Sequence, residues 1–425
     1  MDSTAVSGPR HRRRAEPVRA LGPTGARRLL TVLTLGALLA LGPLSIDMYL
    51  PALPAISADL RASSSSVPLT LAGTWLGLGL GQLFVGPLSD TVGRRPPLIV
   101  GTVLHIAASI LCLVAPNVAV LGVLRVLQGV AGAATMVVAM AVIRDLFTGR
   151  EVATVLSRLM LVVGAAPVFA PTLGGVILLV GSWHAVFAAP AALGGLLLVV
   201  VLTTVQETLP PERWRTGGFR PVTRAFTIVL RDGRFVIMAL VSSLAMAAMF
   251  AYVSGASFVL RDGYGLREQE FALALGAGAA ALIATSQLNV MLLARWAAQR
   301  IMLRALAVAT AISLVLTPLA ASGEGGVASF VILLWLITAA VGFVLPNGAA
   351  LTLSRHGEAA DTATALLGAG QFGLGAVVAP LVGLLGNNAH AMAVVMTACV
   401  AAALVLAGAV PFQEPQTGPT DVAPV

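Results

Sequence analysis

Apolar residues fill long stretches of the chain, and charged residues gather in the short intervals between them. The stretches run over about 29–50, 67–89, 97–115, 118–143, 153–181, 183–205, 234–258, 271–293, 301–321, 327–353, 361–386 and 389–411. Most reach or exceed the ~20 residues that a helix needs to cross a bilayer, and the longest imply tilt or projecting ends. Helix breakers fall at the boundaries: Pro51 and Pro54 follow the first stretch, and Pro116-Asn117 separates the third from the fourth. The pattern predicts an all-α membrane protein with twelve transmembrane helices. A short charged interval around Gly86-Pro87-Leu88-Ser89-Asp90-Thr91-Val92-Gly93-Arg94-Arg95 reads as a hairpin that sets its two flanking helices antiparallel and adjacent.

Composition removes the main alternative. Hydrophobic residues make up 58% of the chain and charged residues 10%, with a mean hydropathy of +0.94. A soluble domain carries about 25% charged residues. The net charge of +8 does not point to nucleic acid, because there is no lysine and the arginines sit between apolar stretches at alternating density. One set of intervals carries Arg12, Arg13, Arg14, Arg94, Arg95, Arg144, Arg150, Arg295, Arg300, Arg304 and Arg355, among others; the opposite set carries Arg61, Arg261 and Arg267. Positive charge accumulates on the cytoplasmic side, so both termini are expected in the cytoplasm of a multi-pass protein of the cell membrane. That requires an even number of spans. Residues 1–28 and 413–425 read as cytosolic tails, the first basic and disordered. Cys112 and Cys399 lie in different apolar stretches, which argues against a disulfide framework or a metal site.

The longest polar interruption runs from Gln206 to Asp232 and contains Pro210-Pro211. It divides the chain into an N-terminal six-helix bundle over 29–206, a cytosolic linker over 207–233 and a C-terminal six-helix bundle over 234–412. Equal apolar halves around a basic linker indicate two pseudo-symmetric bundles of a duplicated transporter. Direct sequence repetition is faint. The second-half counterpart of the 86–95 loop, Leu293 to Arg300, keeps basic charge without the Gly and Asp.

Several motifs carry a resemblance. The spacing Gly86-x-x-x-Asp90-x-x-Gly93-Arg94-Arg95 resembles the loop between the second and third helices of major facilitator superfamily transporters. The fourth stretch holds Arg125-Val126-Leu127-Gln128-Gly129, and the fifth holds Gly164-Ala165-Ala166-Pro167 followed by Ala170-Pro171-Thr172-Leu173-Gly174-Gly175, which resembles the antiporter motif of drug exporters. Ser45-Ile46-Asp47-Met48-Tyr49-Leu50-Pro51, Ala141 to Phe147, Pro346-Asn347 and Gln371-Phe372-Gly373 resemble the Bcr/CflA branch of drug:proton antiporters. That resemblance implies a proton-coupled exporter of small amphipathic drugs or antibiotics, with chloramphenicol-like, bicyclomycin-like and sulfonamide compounds among the family's substrates. It also implies a cytosolic gate in which Asp90 meets an arginine or a helix N-terminus of the second half and Arg94 meets Asp145.

The residues support specific expectations. A charge inside a membrane helix costs several kcal/mol unless paired or wet. Arg125 is therefore either a functional residue that is paired or wet or an arginine snorkelling to the outer interface, and the resemblance implies a place in the central cavity with coupling to proton movement. Asp47 is the acidic residue within an apolar stretch; it is either a proton carrier or a cap at the break before Pro51. Asp47 and Arg125 stand at comparable depth and are expected to face one cavity. Tyr49, Gln128, Asn347 and Gln371 are expected to line it, and uncharged groups suit a neutral ligand. His105 reads as a packed histidine first and a proton site second. Gly164, Pro167, Pro171, Gly174 and Gly175 allow close packing and bending of the fifth helix. Gly368-x-Gly370-x-x-Gly373 fits a dinucleotide fingerprint but lies in an apolar helix without a preceding strand. No Walker sequence or hydrolase motif is present, so no cofactor, metal or enzymatic activity is expected. The expected partners are a small-molecule substrate, protons and the lipid bilayer around a monomer. A metabolite or sugar exporter, and a non-transporting sensor or scaffold, are the alternatives.

Overall fold

The computed structural model describes residues 25–63, 65–214, 220–355 and 359–411. The expected tail over 413–425 and most of that over 1–28 lie outside the described residues. Fourteen α-helices follow in order: α1 Gly25–Asp47, α2 Leu53–Asp59, α3 Pro68–Val92, α4 Arg95–Cys112, α5 Val118–Leu146, α6 Arg150–Val180, α7 Ala185–Thr204, α8 Arg220–Leu230, α9 Gly233–Ala256, α10 Glu268–Leu293, α11 Ala298–Ser322, α12 Gly326–Leu353, α13 Ala360–Leu384 and α14 Ala389–Gly408. They supply twelve helical stretches long and apolar enough to cross a membrane, as the hydropathy pattern predicts. There is no strand among the described residues.

The first stretch departs from expectation. Pro51 and Pro54 do not end it: a 3₁₀ turn over Leu50–Ala52 and the short α2 prolong it to Asp59. Both prolines sit at the first or second position of a helical segment, where a missing N–H costs no hydrogen bond. The first stretch of the second half is modified at the same place, since α9 continues as a π-helical segment over Ser257–Gly263. Near its start, α1 begins at Gly25, inside the segment expected as a tail. Within 207–233, α8 is a helix that packs against α9 and α13.

The packing repeats between halves. In the first, α1 packs on α5, α6 and α7, α3 on α5, and α4 on α5 and α7. In the second, α9 packs on α12, α13 and α14, α10 on α12, and α11 on α12 and α14. Shifting each helix to its counterpart six spans later reproduces the pattern, so the two bundles are pseudo-symmetric. The seam obeys the same relation, with α3 against α13 and α6 against α10.

The 86–95 segment needs two corrections. Helix α3 runs through Gly86 to Val92, which leaves Gly93 and Arg94 as the turn. Its main partners are α5 and α13, and its contact with α4 is confined to a few residues. Glycines explain the choice. A Cβ on Gly77 would collide with the carbonyl of Val126, and one on Gly129 with the carbonyl of Thr74. Backbones this close bury more surface than a hairpin neighbour offers.

Candidate functional site

Arg94 organises the arginine-rich end of the first bundle. Its Nη1 donates to Asp90 Oδ1 at 2.6 Å and to Ser89 Oγ at 2.7 Å, and its Nε donates to Asp145 Oδ2 at 3.0 Å. The expected Arg94–Asp145 pair is present. Asp90 pairs with Arg94, an arginine of its own turn. An ion pair that crosses between halves here joins Arg144 of α5 to Asp361 in the first turn of α13. Burial alone would lower the Arg94 guanidinium, but the two carboxylates hold it above its ordinary value.

Sequence reasoning missed Glu207. Its carboxylate accepts the backbone N–H groups of Arg94 at 2.8 Å and Arg95 at 3.0 Å, and those of Thr208 and Leu209 at 3.0 Å each. It thus caps the N-terminus of α4 from beyond the end of α7. Partial burial works to raise this carboxyl, but the four N–H donors hold it below the ordinary carboxylate range. The cap is therefore complete above that ordinary range and is lost as pH falls through the depressed value. Nothing local in the sequence marks Glu207 as the cap of α4, because Arg94 and Arg95 lie more than a hundred positions earlier.

Gly93 joins the two networks. Its φ is +89°, and a Cβ there would stand 2.5 Å from Glu207 Oε2. Gly93→Ala is expected to lose roughly 1–3 kcal/mol of stability through backbone strain and displacement of the cap. Thermal unfolding in detergent checks it; an unchanged midpoint would remove the role given to this turn. By contrast, a Cβ on Gly86 meets Val137 at an ordinary 3.7 Å.

A second network is buried in the middle of the first bundle. Arg125 is 0% exposed. Its Nη1 donates to the carbonyl of Ser45 at 3.2 Å and to Gln128 Oε1. Gln128 Nε2 donates to Ser109 Oγ at 2.7 Å, and Ser109 Oγ donates to the carbonyl of His105 at 2.7 Å. His105 Nε2 lies 3.1 Å from Ser45 Oγ, which closes the circuit. The guanidinium stands 4.5 Å from the Tyr49 ring centroid and 5.7 Å from that of Phe187. The Tyr49 hydroxyl bonds Thr70 Oγ1 at 2.8 Å. Arg125 Nε and Nη2 and His105 Nδ1 are buried without a hydrogen-bond partner among the described residues. Buried donors without partners call for water or a ligand.

Asp47 is not brought to this network. It is half-buried, and no ion pair or hydrogen bond joins it to Arg125 among the described residues. Helix geometry gives the reason. Ser45, two residues earlier, presents its carbonyl to Arg125, and two residues turn about 200° around a helix. The residue after Asp47, Met48, lies beside the fifth-span motif. A Cβ on Gly174 would collide with the carbonyl of Met48, so α6 packs flush against the end of α1. Pro167 and Pro171 lie inside α6 and remove two helix N–H groups. Gly276 of α10 sits against the Val168 carbonyl and Ile283 against Gly164 across the seam. Gly175 has no neighbour close enough to restrict it.

The expected cavity residues of the second half lie on α12 and α13. Asn347 Nδ2 donates to Asn289 Oδ1 at 2.6 Å and to the Phe343 carbonyl at 2.8 Å, tying α12 to α10. Gln371 is half-buried on α13. Near it an aromatic stack crosses the seam: Trp75 lies 4.1 Å from Phe250, and Phe250 lies 5.7 Å from Phe372. At the end opposite the arginines, Ser257 Oγ donates to the Leu50 carbonyl at 2.7 Å and Arg261 Nη1 to that of Pro51 at 2.6 Å. The two modified first stretches therefore meet each other there, and Arg261 Nη2 also pairs with Glu268 at 3.1 Å.

Known proteins share this arrangement. The family model of the Major Facilitator Superfamily matches residues 33–380. The chain is 37% identical over 383 residues to an uncharacterised MFS-type transporter, YdgK, of Bacillus subtilis, covering 88% of this chain and 93% of that one. It is 30% identical to a bicyclomycin resistance protein homolog of Haemophilus influenzae, over 87% of this chain and 93% of that one. The solved D-xylose-proton symporter superposes with a TM-score of 0.70 at 16% identity, covering 90% of this chain and 97% of that one, which speaks for the fold alone. Twelve spans in two bundles with matching internal packing, a family match across most of both, and relatives that are transporters rather than enzymes place this chain in the Major Facilitator Superfamily.

Proposed function

We propose that the protein is a proton-coupled secondary exporter of small amphipathic drugs or antibiotics, working by alternating access. The observation that carries this reading is the contact of Gly174 with the Met48 carbonyl. It packs Met48, the residue after the membrane carboxylate Asp47, against the helix that forms part of the seam with α10. Gaining or losing a proton at Asp47 changes the charge at the end of α1, and flush packing passes the resulting shift to α6. The likeness to a bicyclomycin resistance protein homolog supports an antibiotic as the class of substrate. The units at 29–206 and 234–412 rock against each other, with the Leu50–Ser257 and Pro51–Arg261 bonds as the outer closure and Arg144–Asp361 as the inner one. A panel of antibiotics on a drug-sensitive host, with and without an uncoupler, tests this reading. Resistance to at least one compound that the uncoupler removes is the expected result. No resistance, or resistance indifferent to the uncoupler, would overturn it.

The same reading puts the arginine-rich face in the cytoplasm. In a background with Cys112 and Cys399 replaced, Gly263→Cys is expected to react with an impermeant thiol reagent in intact cells. Thr91→Cys is expected to react after lysis alone; labelling of Thr91→Cys from outside would invert the topology.

A further inference from the structure

A cavity of about 330 Å³ opens on the flank of the second bundle, away from the seam. The end of α10, the first half of α11 and the middle of α12 form it, with Leu292, Trp296, Arg304, Val308, Leu336 and Phe343 among its walls. Its lining is apolar but for one basic corner. Val308 is 52% exposed and Leu336 47%, although α11 and α12 are membrane-spanning stretches. The groove therefore faces hydrocarbon, not water. Its helix α11 packs on α12 and α14 and takes no part in the α3–α13 or α6–α10 seam.

The corner has a definite chemistry. The Arg304 guanidinium lies 4.3 Å from the Trp296 ring centroid. Arg304 is six residues into α11, about 9 Å along its axis from the arginine-rich end. Arg295 and Arg300 are exposed beside it. No Asp or Glu occurs from Gln287 through Ser322, and none on α12 or α14. Glu268 and Glu270 begin α10, at its opposite end. A positive corner at headgroup depth thus tops an apolar trough at acyl-chain depth, with a tryptophan at the boundary, where that residue type favours the interface.

We propose that this groove binds an anionic phospholipid from the leaflet at the arginine-rich face. One acyl chain lies along Leu292, Val308, Leu336 and Phe343. The phosphate sits on Arg304, with Arg295 adding positive potential, and Trp296 holds the Arg304 fork over the groove mouth. Basic pockets between transmembrane helices are suited to such headgroups, and the planar guanidinium matches phosphate geometry. The proposal rests on the groove alone and holds whatever compound the protein transports.

The test uses the full chain in detergent, titrated with phosphatidylglycerol or phosphatidylcholine and read by native mass spectrometry. The wild type is expected to retain phosphatidylglycerol in preference to phosphatidylcholine. Arg304→Gln is expected to weaken phosphatidylglycerol binding roughly fivefold, at about 1 kcal/mol for one arginine near a phosphate. Arg224→Gln on α8 removes an exposed arginine elsewhere and is expected to change nothing. Val308→Trp leaves every arginine in place but fills the trough, and is expected to lose the bound lipid. It also keeps the proposal testable if Arg304→Gln fails to fold. Equal retention of both lipids, or undiminished phosphatidylglycerol binding in both Arg304→Gln and Val308→Trp, would overturn the site. Displacement of the lipid by a transported drug would reassign the groove to substrate.

Discussion

Asp47→Asn is expected to abolish uphill export and substrate-induced proton release while leaving the protein folded and able to bind substrate. Asp47 ends α1 in a span of mean hydropathy 2.1, and no hydrogen bond or ion pair to a described residue fixes it. A carboxylate at such a place is costly unless it serves a function. Asparagine has nearly the same shape and cannot ionise, so the packing of Met48 on Gly174 is kept while the charge change is lost. If charging of Asp47 drives the movement of α6 against α10, the variant exchanges substrate downhill but cannot couple it to a proton gradient. The measurement is the pH change on adding substrate to proteoliposomes, together with export against a gradient. Normal proton release from Asp47→Asn would move the coupling site elsewhere. His105, in the Arg125 circuit with a buried Nδ1 left unpartnered, is then the next residue to test.

Much of the architecture was legible because a bilayer leaves few choices. A long apolar stretch in lipid must satisfy its own backbone, so it becomes a helix. Hydropathy therefore located the spans and the break between halves, and the resemblance of the 86–95 loop to its superfamily counterpart pointed to the Arg94–Asp145 charge cluster. What escaped was whatever depends on rotation about a helix or on contact between distant segments. Depth alone suggested that Asp47 and Arg125 share a cavity, yet the angular offset between Ser45 and Asp47 separates them. Tyr49 and Gln128 do join Arg125, whereas Asn347 closes on Asn289 within the other bundle. Pro51 and Pro54 read as terminators because proline lacks an N–H, although the same property suits the start of a new helical turn. Glu207 was invisible because its four donors are backbone groups, which carry no residue identity.

Arg125→Lys is expected to lose most transport, although it preserves the charge. The guanidinium does three things at once: it bonds the Ser45 carbonyl, bonds Gln128 Oε1, and stands over the Tyr49 ring with Phe187 nearby. A lysine ammonium is a point donor on a flexible stem and cannot reproduce a planar fork over an aromatic face. Shortening that reach leaves the Gln128 amide or the Ser45 carbonyl unpaired in a dry interior, at roughly 1–3 kcal/mol for each group. The loss spreads along the circuit, because Gln128 positions Ser109, which bonds His105, and His105 returns to Ser45 on α1. Structural and functional damage separate by experiment. Ser109→Ala cuts the same circuit at its far side without touching Arg125, and is expected to lower thermal stability while keeping substantial transport. Arg125→Lys is expected to lower both, and to abolish substrate-induced proton release even at temperatures where the protein remains folded. Wild-type transport and proton release in Arg125→Lys would show that the buried guanidinium is a structural tie between α1, α4 and α5. The two buried nitrogens it leaves unpaired would then have no part in the transport cycle.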